Sequence, residues 1–468
     1  MQEFTLAQLL KAVNGKLLGE FSALDTVITQ VDTDSRTISG KGSLFVPLKG
    51  ERFDGHVYLD AALEAGADGC LTAEERPIYR ADKFYVRVRD TQRALRDLAA
   101  WYKSRFPIPF IAVTGSVGKT TAKDMIAAVL GRKFKVLKTD GNYNNNIGLP
   151  LTLFRLAPEH QFGVVEMGMD RFGEIDYLSG IVKPDVGIIT NIGDAHIERL
   201  GSRENIFKAK CELLPHVKRD GLLILNGDDK YLSTLKGRTE TPCIFCGAGE
   251  NLSYHAKVVG GDGTSYILCR ITTPSMEREF RIPALGDHMI YPALFAAAVA
   301  EWAGLSPDEI QEGFAQFVPT QMRMNVLRRA DKITILDDTY NANPQSMRAA
   351  IRVLAGWPSK CKIAVLGDML ELGPFAPALH EEVGETLGAS GIDCVVAVGD
   401  MACHIADGAE RAGVGRVYRC LDQASAKQVL EDELQPDCAI LVKASRAMKL
   451  EDITAFLKTL TGEKEPRS

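Results

Sequence analysis

The chain has 468 residues, which at roughly 100–200 residues per domain predicts about two to four domains. Hydrophobic residues at 46 %, charged residues at 25 % and a net charge of −6 describe a globular chain without the basic face that nucleic acid attracts. Met1–Phe4 opens no basic region leading into an apolar run, and no stretch of about 18 apolar residues follows, so neither a Sec-type signal nor a membrane span is expected. Of ten cysteines, only Cys243 and Cys246 form a CxxC, and no second pair completes a zinc site. They read as small buried hydrophobes in a reducing cytoplasm.

Residues 1–107 alternate short strands and amphipathic helices. Helices are predicted over Thr5–Val13, Tyr58–Ala65 and Ala94–Phe106, the last stopped by Pro107 and Pro109. Ser43–Leu48 reads as a strand before the polar turn Lys49–Gly55. From Phe110 the pattern changes. Strands are predicted over Phe110–Val113, Phe162–Glu166, Val186–Thr190 and Leu222–Leu225, with helices over Thr120–Leu130, Arg203–Leu214 and Tyr291–Trp302. Such alternation predicts a mostly parallel sheet covered by helices. Cys243–Pro283 reads as short hairpins. A third block begins near Arg323, with strands Ile333–Leu336, Ile363–Leu366, Cys394–Val398 and Ala439–Val442. Its helices are Met347–Leu354, His380–Leu387 and Met401–Glu410, giving a second open α/β sheet. The tail Gly462–Ser468 is polar and reads as frayed. The expected domains are 1–107, 108–320 and 321–468.

The sharpest local pattern is Thr114-Gly115-Ser116-Val117-Gly118-Lys119-Thr120-Thr121, between an apolar strand and a helix. Glycines let the backbone approach phosphates, and the N–H groups opening a helix point at an anion. Lys119 offers a positive charge to the outer phosphates of a nucleotide, and Thr120 a hydroxyl to Mg²⁺. Spacing departs from the common phosphate loop: the first glycine would fall at Val113, so this loop is a shorter variant. ATP and Mg²⁺ are the expected cofactors.

Other candidates cluster at strand ends, where parallel sheets hold ligands. Glu166 closes its strand and suits a Mg²⁺ ligand. His196, in Thr190–His196, suits metal binding or proton relay, although a lone loop histidine is by default solvated. Lys210, taken alone, reads as a surface lysine. The loop Gly141–Gly148 holds four asparagines, including Asn142 and Asn145; it reads as a polar turn whose amides also suit phosphate or ribose hydroxyls.

Together, Thr114–Thr121, Asn142–Gly148, Val165–Gly168, Thr190–His196 and Ala209-Lys210 resemble the Mur ligases of peptidoglycan synthesis. Asp337–Met347, Gly367–Gly373, His380 and Val442–Glu451 are similar to the group that adds D-alanyl-D-alanine, as are Asp32–Gly55 and Leu44–His56. The resemblance spans nearly the whole chain in motif order. It implies three α/β domains: a small N-terminal uridine-nucleotide domain, a central parallel-sheet ATPase domain with the phosphate loop, and a C-terminal Rossmann-like domain that closes over the site. It implies an ATP-dependent, ADP-forming ligase acting through an acyl phosphate, with D-alanyl-D-alanine and UDP-N-acetylmuramoyl-tripeptide as partners, in a cytoplasmic monomer.

By the same resemblance Lys119, Lys210 and His196 are catalytic, with Lys210 carbamylated by CO₂. Thr120, Glu166, His196 and Lys210 form the metal set. Gly115–Thr121, Asn145, Arg323, Asp338 and Asn341 hold ATP; Ser35, Arg36, Asn142, Lys443 and Arg446 hold the other substrates. Three positions depart from the family pattern: Pro292 replaces a frequent asparagine, Ala444 a common glycine, and Met322 a glycine before Arg323. Omitting the resemblance, the phosphate loop alone leaves open a sibling amino-acid ligase, a nucleotide-gated binding protein or a kinase.

Overall fold

The computed structural model describes residues 1–50 and 53–460. The expected turn 49–55 is therefore described except at Glu51 and Arg52, where Lys49 and Asp54 pair as an antiparallel bridge; the tail 462–468 lies outside the described residues.

Three sheet-centred α/β lobes follow one another in the chain. The first holds a five-stranded sheet in the order 16–18, 84–87, 69–72, 43–45, 30–32, parallel except at 16–18. Its helix Thr91–Ser104 starts three residues before the expected Ala94, because Asp90 caps it by accepting from the Arg93 N–H. That helix also ties the lobe to the next: the Tyr102 hydroxyl donates to the Leu156 carbonyl at 2.7 Å.

The central sheet has nine strands. The strand Phe110–Thr114 lies between Phe162–Glu166 and Val186–Ile189, parallel to both. Their C-terminal ends therefore open on one edge, and the chain order switches there, which makes a crevice. All three strands are buried along their length, as their unbroken apolar runs require. The helix Lys119–Leu130 packs on this sheet beside Ile290–Trp302, an alanine-rich helix buried nearly all round. The segment expected as short hairpins differs. Cys243–Gly247 and Tyr254–Gly261 join the sheet in parallel, and only the last three strands, 254–261, 267–272 and 277–282, form an antiparallel meander. Alternating burial in Ile267–Thr272 marks the one face it presents to the core.

The third lobe has six strands in the order 325–328, 334–337, 438–443, 361–367, 394–398, 416–420, parallel except for the first. The strand 416–420 and the helices Gln423–Glu433 and Glu451–Thr459 lie beyond the elements expected from sequence. No helix among the described residues is long and apolar enough to cross a membrane.

Candidate active site

The phosphate loop is built by contacts that only small residues allow. Gly115 has φ +146°, and a Cβ there would lie 1.9 Å from Thr190 Oγ1. Gly118, at φ 82°, turns the chain into the helix beginning at Lys119. The neighbouring loop holds the curl from outside. Thr190 Oγ1 and Asn191 Nδ2 donate to the Val117 carbonyl at 2.6 and 2.9 Å. Asn191 Oδ1 accepts from the Val117 N–H at 2.9 Å, and Ser116 Oγ from the Gly193 N–H at 2.8 Å. Lys119 Nζ lies over the curl, donating to the Gly115 carbonyl at 2.8 Å. Burial lowers the Lys119 pKa, with Glu166 opposing that shift and Arg323 adding to it.

Beside the loop, Thr120 Oγ1 donates to Glu166 Oε2 at 2.8 Å, while Asn144 Nδ2 donates to Glu166 Oε1 at 2.8 Å. Arg323 arrives from the start of the third lobe, stacked 4.1 Å over the Tyr340 ring, and donates to Thr120 Oγ1 at 3.2 Å. Lys443 is 2 % exposed and pairs with Asp338 at 2.7 Å, and its Nζ donates to the Asn341 carbonyl at 2.8 Å. Burial lowers the Lys443 pKa, and Asp338 partly offsets the shift.

A cavity of about 780 Å³ runs between the central and third lobes. It is lined by Ser116–Thr121, Asn142, Asn145, Glu166, His196, Arg323, Asp338, Asn341 and Lys443. Most of the expected site residues are thus brought together. Gly115 lies behind the loop it shapes. Ser35, Arg36, Lys210 and Arg446 are not among the residues that line the cavity: Arg36 pairs with Asp34, and Arg446 with Glu451 at 2.6 Å.

Lys210 corrects the reading of it as a surface lysine. It is 2 % exposed, and among the described residues no carboxylate lies within ion-pair distance of its Nζ. Burial and the nearby Lys119 charge push its pKa well below the usual lysine range. Both influences disfavour the charged form of the amine, the direction that suits a nucleophile. His196 likewise differs from a solvated loop histidine. It is about one-quarter exposed, with Nδ1 2.6 Å from Glu371 Oε2 of the third lobe.

The hydroxyl of Thr120 and the two oxygens of Glu166 are hard donors at the rim of a phosphate loop, so the donor chemistry fits Mg²⁺. A separate trio, Asp54, His56 and Glu74, also brings potential ligand atoms together. There the His56 Nε2 accepts from the Ala73 N–H at 3.2 Å and Nδ1 faces Asp54 at 2.7 Å, so the ring has no lone pair left for a cation.

Family comparison supplies the context. The Mur ligase catalytic domain matches residues 27–103, the Mur ligase middle domain 113–300, and the Mur ligase glutamate ligase domain 322–446. A UDP-N-acetylmuramoyl-tripeptide–D-alanyl-D-alanine ligase of Bacillus subtilis is 40 % identical over 92 % of this chain and 93 % of its own length. The chain belongs to the Mur ligase family. The ligase of the same description from Escherichia coli is 36 % identical, covering 98 % of this chain and 99 % of its own. Among solved structures, MurF from Acinetobacter baumannii superposes with a TM-score of 0.90 at 32 % identity, covering 98 % of this chain and 100 % of that one. MurF ligase from Thermotoga maritima in complex with ADP gives a TM-score of 0.82 at 28 % identity, covering 92 % and 97 %.

Membership makes the three departures informative. Met322, where the resemblance leads one to expect glycine, has φ 59°, the left-handed region where glycine is favoured. Ala444 is buried against Gly367, where a Cβ would lie 2.7 Å from the Ala444 methyl; the glycine of this contact sits on the other partner. Pro292 is the third residue of its helix, where its missing N–H has no intrahelical acceptor, and it is buried outside the cavity lining. Four residues that shape the site were missed as individuals in the sequence: Asn144, Thr190, Asn191 and Glu371. For all four the available signal was local, since each lies in a stretch singled out as a unit, 142–148, 190–196 or 367–373.

Proposed function

We propose that this Mur ligase joins D-alanyl-D-alanine to UDP-N-acetylmuramoyl-tripeptide through an acyl phosphate, releasing ADP and phosphate, in peptidoglycan precursor synthesis. One observation carries this reading: a phosphate loop, a strand-end carboxylate and a third-lobe arginine, lysine and aspartate converge on one cavity in a chain that matches such ligases end to end. We assign the division of labour to residues 1–107 for the uridine nucleotide, 108–320 for ATP and 321–468 for closure over the site. The protein acts as a cytoplasmic monomer in this reading.

A carboxylate resists attack by an amine because it is already electron-rich and a poor leaving-group donor. Transfer of the γ-phosphoryl of ATP to the terminal carboxylate of the tripeptide forms a C–O–P bond and breaks the O–P bond to ADP. Phosphate then becomes the leaving group. Lys119 and the N–H groups of Gly118–Thr121, at the opening of the helix, face the phosphates and stabilise negative charge building on the transferred oxygens. Arg323, Asp338, Asn341 and Asn145 hold the nucleotide. Ser35, Arg36, Asn142, Lys443 and Arg446 hold the other substrates. The amine of the dipeptide attacks the acyl carbon, phosphate departs, and the amine loses its extra proton. Contact between the second and third lobes keeps water from the acyl phosphate.

Thr120, Glu166, His196 and a carbamylated Lys210 would hold Mg²⁺. When bound, the ion neutralises phosphoryl oxygens and draws them into line. Carbamylation forms an N–C bond between neutral Lys210 Nζ and CO₂ and releases a proton. The buried, uncompensated state of Lys210 supports it, since it favours the neutral amine and since an anion there would relieve the repulsion from Lys119.

The test is reconstitution by omission. ATP, Mg²⁺, UDP-linked tripeptide and dipeptide together should give one amide product per phosphate, and leaving out any one should abolish the product. Steady ATP turnover with no new amide bond would instead support a nucleotide-gated switch.

A further inference from the structure

The loop after the strand Val186–Ile189 touches two things at once. Its beginning grips the phosphate loop through Thr190, Asn191 and Gly193. Its end meets the third lobe. The Glu198 N–H donates to the Glu371 carbonyl at 3.2 Å, and Gly373 approaches so near that a Cβ would lie 3.1 Å from Glu198 Cγ. Between these backbone contacts the Glu371 carboxylate reaches across the lobe boundary to His196, Oε2 to Nδ1 at 2.6 Å. At that distance the carboxylate and the imidazole ring are in direct contact.

Both residues have left-handed backbone, φ 65° at His196 and φ 63° at Glu371. Side-chain-bearing residues rarely adopt it. Here the two turns aim the side chains at each other, and both line the cavity. His196 belongs to the central lobe and has no hydrogen-bond acceptor for Nδ1 there among the described residues. Its partner comes only with the third lobe. Glu371 also lies near Arg199, which pairs with Asp170, so its surroundings carry both signs of charge.

We propose that Glu371 is a positioning residue for this reaction: it fixes the His196 ring against the phosphate-loop edge of the cavity when the third lobe docks. Acid activation is thereby coupled to closure, because His196 is correctly aimed only when the lobe that excludes water is in place. Glu371 acts through His196 and need not touch the reacting atoms. This inference rests on the ligase reading above.

The full-length enzyme and two variants test it. Glu371→Gly removes the carboxylate while keeping a backbone suited to φ 63°. Glu371→Gln keeps the shape and removes the charge. Steady-state assays with all substrates, hydroxylamine trapping of the acyl phosphate, and small-angle scattering with a non-hydrolysable ATP analogue plus tripeptide are the readouts. A misplaced group near the chemistry costs about 10²-fold in rate, so Glu371→Gly should lower kcat by about ten- to a hundredfold. Trapped acyl phosphate should fall with it. KM for ATP should stay within about threefold, since the phosphate loop is untouched, and Gln should lie between Gly and wild type. Scattering curves should match wild type, because the backbone clasp at Glu198 remains. Wild-type turnover and trapping in both variants would overturn the proposal. Variants that lose activity and also stay open would overturn it too, making Glu371 a docking contact. Wild-type enzyme that forms no amide at all would instead sink the ligase reading.

Discussion

Thr120 Oγ1 and Glu166 Oε2, 46 positions apart in the chain, meet at 2.8 Å because the strands that precede them are adjacent and parallel. That meeting joins the phosphate loop to the strand-end carboxylate, with Lys119 next in sequence and aimed at the same space. Lys119→Ala should lower turnover by about 10²-fold or more, the scale of losing one donor to a transition state. Phosphate release under saturating substrates measures it, and an unchanged kcat would refute the role.

Lys210→Ala should abolish most activity while leaving the fold intact, since the side chain makes no ion pair to lose. If a carbamate is the working group, added acetate or formate should partly restore turnover by lending a carboxylate to the vacated space. No recovery at any concentration would count against carbamylation. An isotope-labelled carbamate resonance in wild type, lost in the variant, is the direct spectroscopic check.

Asp338 and Lys443 form a buried pair, so Asp338→Asn leaves an ammonium without its carboxylate. Removing one partner of such a pair costs about 3–5 kcal/mol. Deprotonation of Lys443 limits the loss. Its pKa is already depressed in the fold, so folding sheds protons from it, and stability from this group rises with pH toward the unfolded lysine value of about 10.4. Loss of Asp338 depresses it further. The deficit of Asp338→Asn in denaturant unfolding should therefore be largest near neutral pH and shrink as pH approaches about 10. A deficit that grows with pH would show that Lys443 is not the group left exposed.

Met322 sits left-handed where a glycine is preferred, at the passage into the third lobe. Left-handed backbone costs a residue with a Cβ about 1–2 kcal/mol, and glycine's extra unfolded freedom costs about 0.5–1 kcal/mol. Met322→Gly should thus be neutral or stabilising by up to about 1 kcal/mol in chemical denaturation. A loss of more than about 1 kcal/mol would mean that the contact of its sulfur with Arg446, 3.8 Å away, matters more than the backbone.

The sequence showed most plainly what is local. Strand, glycines, lysine and helix follow one another within Phe110–Leu130, so the strand–loop–helix order is legible from spacing alone. Alternating apolar runs likewise gave the strand Phe162–Glu166 to the residue. Lys210 was opaque because burial is set by what packs over a helix, and its own helix, Arg203–Cys211, has a polar sequence. Glu371 was opaque as a partner of His196, since 175 residues and a lobe boundary separate them and neither backbone turn has a glycine to announce it. The hairpins over 254–282 are legible in the sequence, but the parallel pairing of Cys243–Gly247 is not, because parallel and antiparallel pairing look alike in short apolar segments.

The account stands on phosphoryl transfer to a carboxylate before the amide forms. Tripeptide substrate labelled with oxygen-18 in its terminal carboxylate tests this without any variant. One labelled oxygen should appear in the inorganic phosphate for each amide bond made, because the C–O–P bridge breaks on the carbon side. Amide formation accompanied by wholly unlabelled phosphate would contradict it.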